Sequence, residues 1–391
     1  MKRLLMATLF GSLLVGCGTS GTETQNPPSP GSAASKPPPT SASAPSSESA
    51  APSRPQAAPG PDCGPVVADM SARERVAQLV VVGVEPSDPA AATELVRTEQ
   101  VGGIFIGGNE TDLFTGNALD RVHDAANVPV SVAIDDEGGR VQRLDQLEGD
   151  IPSAREMAQT MSPQEVRALA EERGRAMREL GVTVDYAPSV DLTDEPADEA
   201  IGDRSFSTDP AVAREYAKAF ADGLTAAGIQ PVVKHFPGHG NASGDSHEGL
   251  VRTPPLAELR EHDLKPYERI DEYGPTTGVM VGHLNVPGLT EGQPASLSPA
   301  AYELLRTDYA FDGPVVTDDL GAMRAISDRY PLPEAVLRAL QAGADQALWS
   351  SGGTVGPVLD RLERAVQSGE LPEQRVTESL ERVLRSKGAC G

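Results

Sequence analysis

Eight short runs of aliphatic and β-branched residues recur along this chain: 79–84, 103–106, 128–134, 182–186, 231–234, 278–281, 313–317 and 344–349, with helical segments between most of them. Runs of this length and composition read as parallel strands. Helix starts are written as capping boxes, Ser71-Ala72-Arg73-Glu74 and Ser162-Pro163-Gln164-Glu165, the second with proline at the first helical position. The helix that follows Ser162 is expected to end at Gly181. Eight strand and helix units leave no chain for a second domain. The pattern therefore predicts an α/β protein with a single (β/α)₈ barrel over residues 63–391, which fits better than a doubly wound sheet.

Sites in such a barrel lie where strands end at their carboxyl side. Polar residues fall there repeatedly. The third run leads into Asp135-Asp136-Glu137-Gly138-Gly139-Arg140-Val141-Gln142-Arg143, the fifth into Lys234-His235-Phe236-Pro237-Gly238-His239-Gly240, and the seventh into Thr317-Asp318-Asp319-Leu320. The fourth and sixth lead into 185–191 and His283. Asp318 ends a run of valines at the barrel mouth, where a carboxylate needs cationic or donor neighbours. Adjacent strand residues point to opposite sides, so Asp318 is assigned to the site and Asp319 to a structural role. Either could instead cap the following helix. A third reading makes the two acids a pair that orients an acetamide on the substrate itself.

Asp245-Ser246-His247 lies in the loop after the fifth run, among Gly238, Gly240, Gly244 and Gly249, which are expected to make it flexible. An aspartate two residues from a histidine can hold one tautomer and keep it protonatable near neutral pH. A surface turn is the alternative. A carboxylate facing a proton donor is the pair that cleavage of a glycosidic bond requires. Lys234 and His235 can donate to sugar hydroxyls, and Arg204 can fork hydrogen bonds to hydroxyls or an acetamide oxygen. No metal or cofactor is expected: the stretch bearing His235 and His239 is not a helix that would align two imidazoles, and no third and fourth ligand is near.

The two ends carry other information. Lys2 and Arg3 precede an apolar run from Leu4 to Val15 that closes on Leu14-Val15-Gly16-Cys17. The run is short for a bilayer span of roughly 20 residues, and reads as a secretion signal over 1–16. The stretch resembles the signal of bacterial lipoproteins, which implies acylation of Cys17, attachment to the outer face of the membrane through lipid alone, and an exported protein in the cell-wall space. Residues 17–62, almost all Pro, Ser, Ala, Gly and Thr, cannot bury enough apolar surface to fold. They read as a tether reaching on the order of 40 Å as a flexible coil. The remaining cysteines, Cys63 and Cys390, sit at opposite ends of the folded part, where an exported barrel could bridge them; two free thiols are the alternative. A net charge of −24 argues against nucleic-acid partners. A monomer is expected.

Together the Lys234–Gly240 and Asp245–His247 motifs, the Asp135–Arg143 segment before them and Thr317–Leu320 after them resemble the single-domain β-N-acetylhexosaminidases of glycoside hydrolase family 3, over roughly Ser71 to Ala347. The resemblance implies a (β/α)₈ barrel and a retaining reaction. It gives Asp318 the nucleophile position and His247 the acid/base position, with Asp245 as its partner. Asp135, Arg143, Arg204, Lys234 and His235 match sugar-binding positions, Arg204 within Gly202-Asp203-Arg204-Ser205-Phe206-Ser207. The expected substrate is terminal β-linked N-acetylglucosamine (GlcNAc) on peptidoglycan fragments. A β-glucosidase or a GlcNAc phosphorylase of the same fold, or a non-catalytic wall-sugar-binding lipoprotein, are the alternatives. The two-domain β-glucosidases of the superfamily generally lack the Asp-x-His loop present here.

Overall fold

A computed structural model describes residues 61–351 and 355–391. The secretion signal, Cys17 and all but the last two residues of the tether lie outside the described residues. Eight parallel strands form the centre: β1 (Val80–Val84), β2 (Gly103–Ile106), β3 (Ser131–Ile134), β4 (Val184–Asp185), β5 (Gln230–Phe236), β6 (Gly278–Val281), β7 (Val315–Thr317) and β8 (Ala347–Trp349). They pair in the order β8-β1-β2-β3-β4-β5-β6-β7. A parallel bridge between Val316 and Gln346 brings the two edges together, so the sheet closes into the expected barrel.

Both capping boxes form, at Ser71 with Glu74 and at Ser162 with Glu165. The helix Pro163–Glu179 is followed by Gly181 at φ 93°, a left-handed turn that suits glycine. Only the second and sixth strands keep the bounds of the sequence runs; the first, fourth, seventh and eighth are shorter, and the third and fifth differ in ways that bear on the site. The third begins at Ser131 instead of Val128, since Pro129 has no N–H to give a ladder. The fifth runs on to Phe236, carrying Lys234 and His235 within the strand.

The pleat sorts side chains into two cores. Val81, Ala133, Val184, Val232, Met280, Val316 and Leu348, with Phe105 packed against them, contribute one residue from each strand to a plug inside the barrel. A second cluster, including Val80, Val82, Ile104, Val132, Val233, Val279 and Val315, packs against the surrounding helices. Strands buried on both faces explain why the sequence shows continuous apolar runs and not alternation.

Cys63 and Cys390 form a disulfide, 327 residues apart in sequence. Beside it the Asp62 N–H donates to the Gly391 carbonyl at 2.8 Å. The bridge joins the two ends of the barrel domain and closes nearly all of it into one loop. By chain entropy such a loop restricts the unfolded state by as much as about 5 kcal/mol. Replacing both cysteines by serine is expected to lower the melting temperature by several degrees, and reductant should do the same to the wild type. A melt insensitive to both changes would count against the bridge.

Candidate active site

The plug fixes what faces the barrel mouth. Two residues beyond each plug residue the pleat returns to the same side, giving Gly83, Gly107, Asp135, Tyr186, Lys234, Gly282, Asp318 and Ser350. All except Gly282 line one cavity of about 680 Å³, together with Arg143, Arg204, His235, His239, Asp245 and His247. Every sequence-derived site residue of the barrel is thus in one place. Glycine at 83 is required by packing: a Cβ there would lie 2.4 Å from Ser350 Cα.

Asp318 continues the ladder past the end of β7, donating its N–H to the Val281 carbonyl at 3.0 Å. Its side chain accepts from the Asp319 N–H at 2.9 Å and opens onto the cavity. Burial raises its pKa, but the imidazoles of His235 and His283 outweigh this, with the Asp319 N–H and His247 adding to them. The net shift is downward, so the carboxylate stays ionised at neutral pH. Asp319 borders the same cavity, so the alternation does not divide the two acids cleanly, but its carboxylate is taken up by backbone donors. It accepts from the N–H groups of Gly321 and Ala322 at 2.8 and 2.9 Å and from Ser350 N–H at 3.1 Å, tying the end of β7 to that of β8. His283 is buried and its pKa is lowered by burial. It bridges Ser296 Oγ and the Asp319 carbonyl, at 2.7 and 2.9 Å.

The expected sugar-binding cations are held by carboxylates. Arg204 forks onto Glu137 at 2.8 and 2.7 Å, and Lys234 Nζ reaches the same carboxylate at 2.5 Å. Arg143 pairs with Asp135 at 2.8 Å. Sequence reasoning passed over Glu137, although its place just past a strand end, before two glycines, was a usable signal. Gly138 and Gly139 have φ of 95° and 57°, and this turn folds the segment back so that Arg143 meets Asp135. Adjacent Asp136 points away and pairs with the buried Arg173 at 2.6 Å.

Asp191 is the other residue missed. Fully buried, it accepts from His235 Nδ1 at 2.6 Å, from the His239 N–H at 2.6 Å and from Ser189 Oγ at 3.1 Å. The bond to Nδ1 leaves His235 Nε2 3.4 Å from the Arg204 guanidinium. Burial alone would raise the Asp191 pKa, but the His235 charge and hydrogen bond, with help from His239, bring it down to about 2. A folded-state value below the unfolded one stabilises the fold above roughly pH 4, and that contribution fades as pH falls towards 2. It is on the order of 2 kcal/mol. Asp191→Asn is therefore expected to be less stable at neutral pH and to lose less on acidification, checked by urea unfolding from pH 6 to pH 3. Parallel stability curves for the two proteins would contradict the assignment.

The loop after β5 has two parts. At Gly238 a Cβ would sit 2.6 Å from Asp263 Cβ, and at Gly240 one would sit 2.2 Å from the Leu192 carbonyl oxygen. These glycines serve close packing, which corrects the expectation that they loosen the loop. Gly244, at φ 126° with only Val251 Cγ1 near, at 3.7 Å, and Gly249, with no neighbour within 4 Å, are the ones not held by close packing. Between them Asp245 accepts from His247 Nδ1 at 2.7 Å and from its N–H at 2.9 Å. Burial raises the Asp245 pKa, but the hydrogen bonds from His247 bring it below the ordinary value. With Nδ1 occupied, Nε2 is the nitrogen presented outward, on a side chain 67% exposed.

The parallel barrel, with a carboxylate beyond β7 and a loop-borne Asp–His pair on the same cavity, defines the class as a (β/α)₈ barrel whose site lies at the carboxyl ends of its strands. Residues 71–386 match the Glycosyl hydrolase family 3 N terminal domain, and the chain belongs to that family of glycoside hydrolases. It is 54% identical over 337 residues to a Mycobacterium tuberculosis protein named Beta-hexosaminidase LpqI, spanning 83% of this chain and 86% of that one. A family 3 glycosyl hydrolase from Mycobacterium smegmatis superposes with a TM-score of 0.80 at 53% identity, covering 83% of this chain and 99% of that one. A family 3 β-N-acetylglucosaminidase from Paenibacillus gives a TM-score of 0.75 at 31% identity, over 82% of this chain and 62% of that one.

Proposed function

We propose that the protein is a retaining exo-β-N-acetylglucosaminidase that removes terminal GlcNAc from peptidoglycan-derived fragments at the outer face of the cell membrane. The observation that carries the reading is the presence of ionised Asp318 and the Asp245–His247 pair on one cavity. Phe105, Tyr186, Met280 and Leu348 close that cavity from below, which suits removal of a terminal sugar. The β-hexosaminidase names of its relatives support the sugar.

Asp318 attacks the anomeric carbon as His247 Nε2–H passes its proton to the departing glycosidic oxygen. The C–O bond to the leaving group breaks as the bond to the carboxylate forms. His247, now neutral, takes a proton from water. The resulting hydroxide equivalent displaces the carboxylate from the same carbon and restores the starting configuration. Asp245 holds the imidazole tautomer through both steps.

His247→Ala is expected to lower kcat/KM by about 10²-fold or more on donors with a poor leaving group, and to matter far less where the leaving group departs unprotonated. Equal slowing of both would overturn the acid role. The wall location rests on Cys17 and the signal before it, outside the described residues. Among the described residues no helix is long and apolar enough to cross a membrane. Cys17→Ala should release the protein from the membrane fraction, and a wild type found soluble and unprocessed would remove the lipoprotein reading. Preference for the peptidoglycan disaccharide is tested against chitobiose at equal concentration.

A further inference from the structure

Ser246 is 1% exposed, yet it stands between Asp245 and His247, whose side chains are 38% and 67% exposed. Its Oγ lies 3.2 Å from His239 Nε2, and the His239 N–H is itself held by Asp191 at 2.6 Å. On the other side of the loop the Ser246 and His247 carbonyls accept from the N–H groups of Ala325 and Arg324, each at 3.4 Å, in the segment that follows Asp318 and Asp319. His239 is buried, and burial lowers its pKa, so its neutral ring can serve as partner to a hydroxyl. Nothing in the proton-transfer scheme uses Ser246 or His239.

We propose that Ser246 is a positioning residue: its hydroxyl latches the loop to His239, and the latch keeps His247 over the cavity while Asp245 sets only the ring's tautomer. The Asp245 bonds are local to the loop and travel with it, so they cannot fix where the loop sits. The latch to His239 reaches a residue rooted through Asp191 in the barrel. The two carbonyl contacts are long, at 3.4 Å each, so loss of the hydroxyl leaves His247 tethered loosely.

The inference rests on the reading of His247 as proton donor, and its test separates the two. Values of kcat/KM are measured for Ser246→Ala, Ser246→Thr and His247→Ala on two β-GlcNAc donors, one leaving as a nitrophenolate and one as an alkyl alcohol. This constant reports events through formation of the glycosyl-enzyme, where proton donation acts. Losing one hydrogen bond to the latch should cost Ser246→Ala roughly five- to tenfold on the alkyl donor. The loss on the nitrophenyl donor should be small, the melting temperature unchanged, and Ser246→Thr, which keeps the hydroxyl, should recover most of the loss.

Equal losses on both donors, no loss on either, or a threonine variant no better than alanine would overturn the latch, provided that His247→Ala shows the leaving-group split. If His247→Ala lacks that split, the proton-donor reading fails and the latch falls with it. A lowered melting temperature in Ser246→Ala with no split would mark a merely structural serine, which also overturns the proposal.

Discussion

Asp318→Asn is expected to lower kcat/KM by a factor on the order of 10⁴ while leaving the domain folded. The side chain accepts one backbone hydrogen bond, from Asp319, and an amide oxygen can accept the same bond. What asparagine lacks is the negative charge and the nucleophilic oxygen. Because its folded-state pKa is lowered, the charge also adds some stability above roughly pH 4, so the neutral replacement should be modestly less stable at neutral pH yet remain folded. Activity lost by orders of magnitude with only a small drop in melting temperature is therefore the expected signature. A fluorinated GlcNAc donor should trap a covalent adduct on the wild type, and peptide mapping should place it on Asp318. An oxazoline intermediate with no labelled peptide would give the sugar's own acetamide the nucleophile role and sink the assignment.

Glu137→Ala should have a large effect on stability, about 3–5 kcal/mol in urea unfolding at neutral pH, although Glu137 lies behind the cavity wall and not on it. The carboxylate is buried and neutralises two cations, the buried Lys234 and the largely buried Arg204. Burial pushes its pKa up, but the charges of Arg204 and Lys234, with their hydrogen bonds, hold it well below the usual carboxylate range. Removing it leaves both cations unpaired in a poorly hydrated place. Glu137→Gln keeps an acceptor without the charge and should fall between the wild type and the alanine variant. Because the folded-state pKa is depressed, the wild-type advantage should be full above about pH 4 and decline on acidification. Both variants should also raise KM, since Arg204 loses the carboxylate that orients it towards the cavity. A glutamine variant as stable as wild type, with KM unchanged, would show that the ion cluster neither supports the fold nor orders the site.

Much of the site was legible because strand geometry is local. A run such as Val315-Val316-Thr317 buried on both faces places the acid two residues past the plug residue Val316 at the mouth by the pleat alone, and Asp318 lies there; Asp319 borders the cavity too, held by backbone donors that the pleat does not foretell. The same logic put Asp135 and Lys234 at the mouth. Glu137 and Asp191 were not legible, because their partners come from other strands. Asp191 is 44 residues from His235, and Glu137 is 67 from Arg204. The glycines of the β5 loop misled for the same reason: sequence shows a missing side chain but not what would collide with one.

By itself the sequence determined the barrel, the ends of its strands, and the chemical types gathered there, because pleat, capping and hydrophobic period act over a few residues. The pairing of Cys63 with Cys390 was only a possibility in the sequence, since any exported pair of thiols can join. Tertiary structure decided it by bringing the chain's two ends together. Tertiary structure also decided which cations are already neutralised, which histidine is rooted in the barrel, and that buried Ser246 lies against His239 within a loop otherwise turned to solvent. Those outcomes depend on charges and packing contacts between segments far apart in the chain, whose meeting only the closed barrel sets.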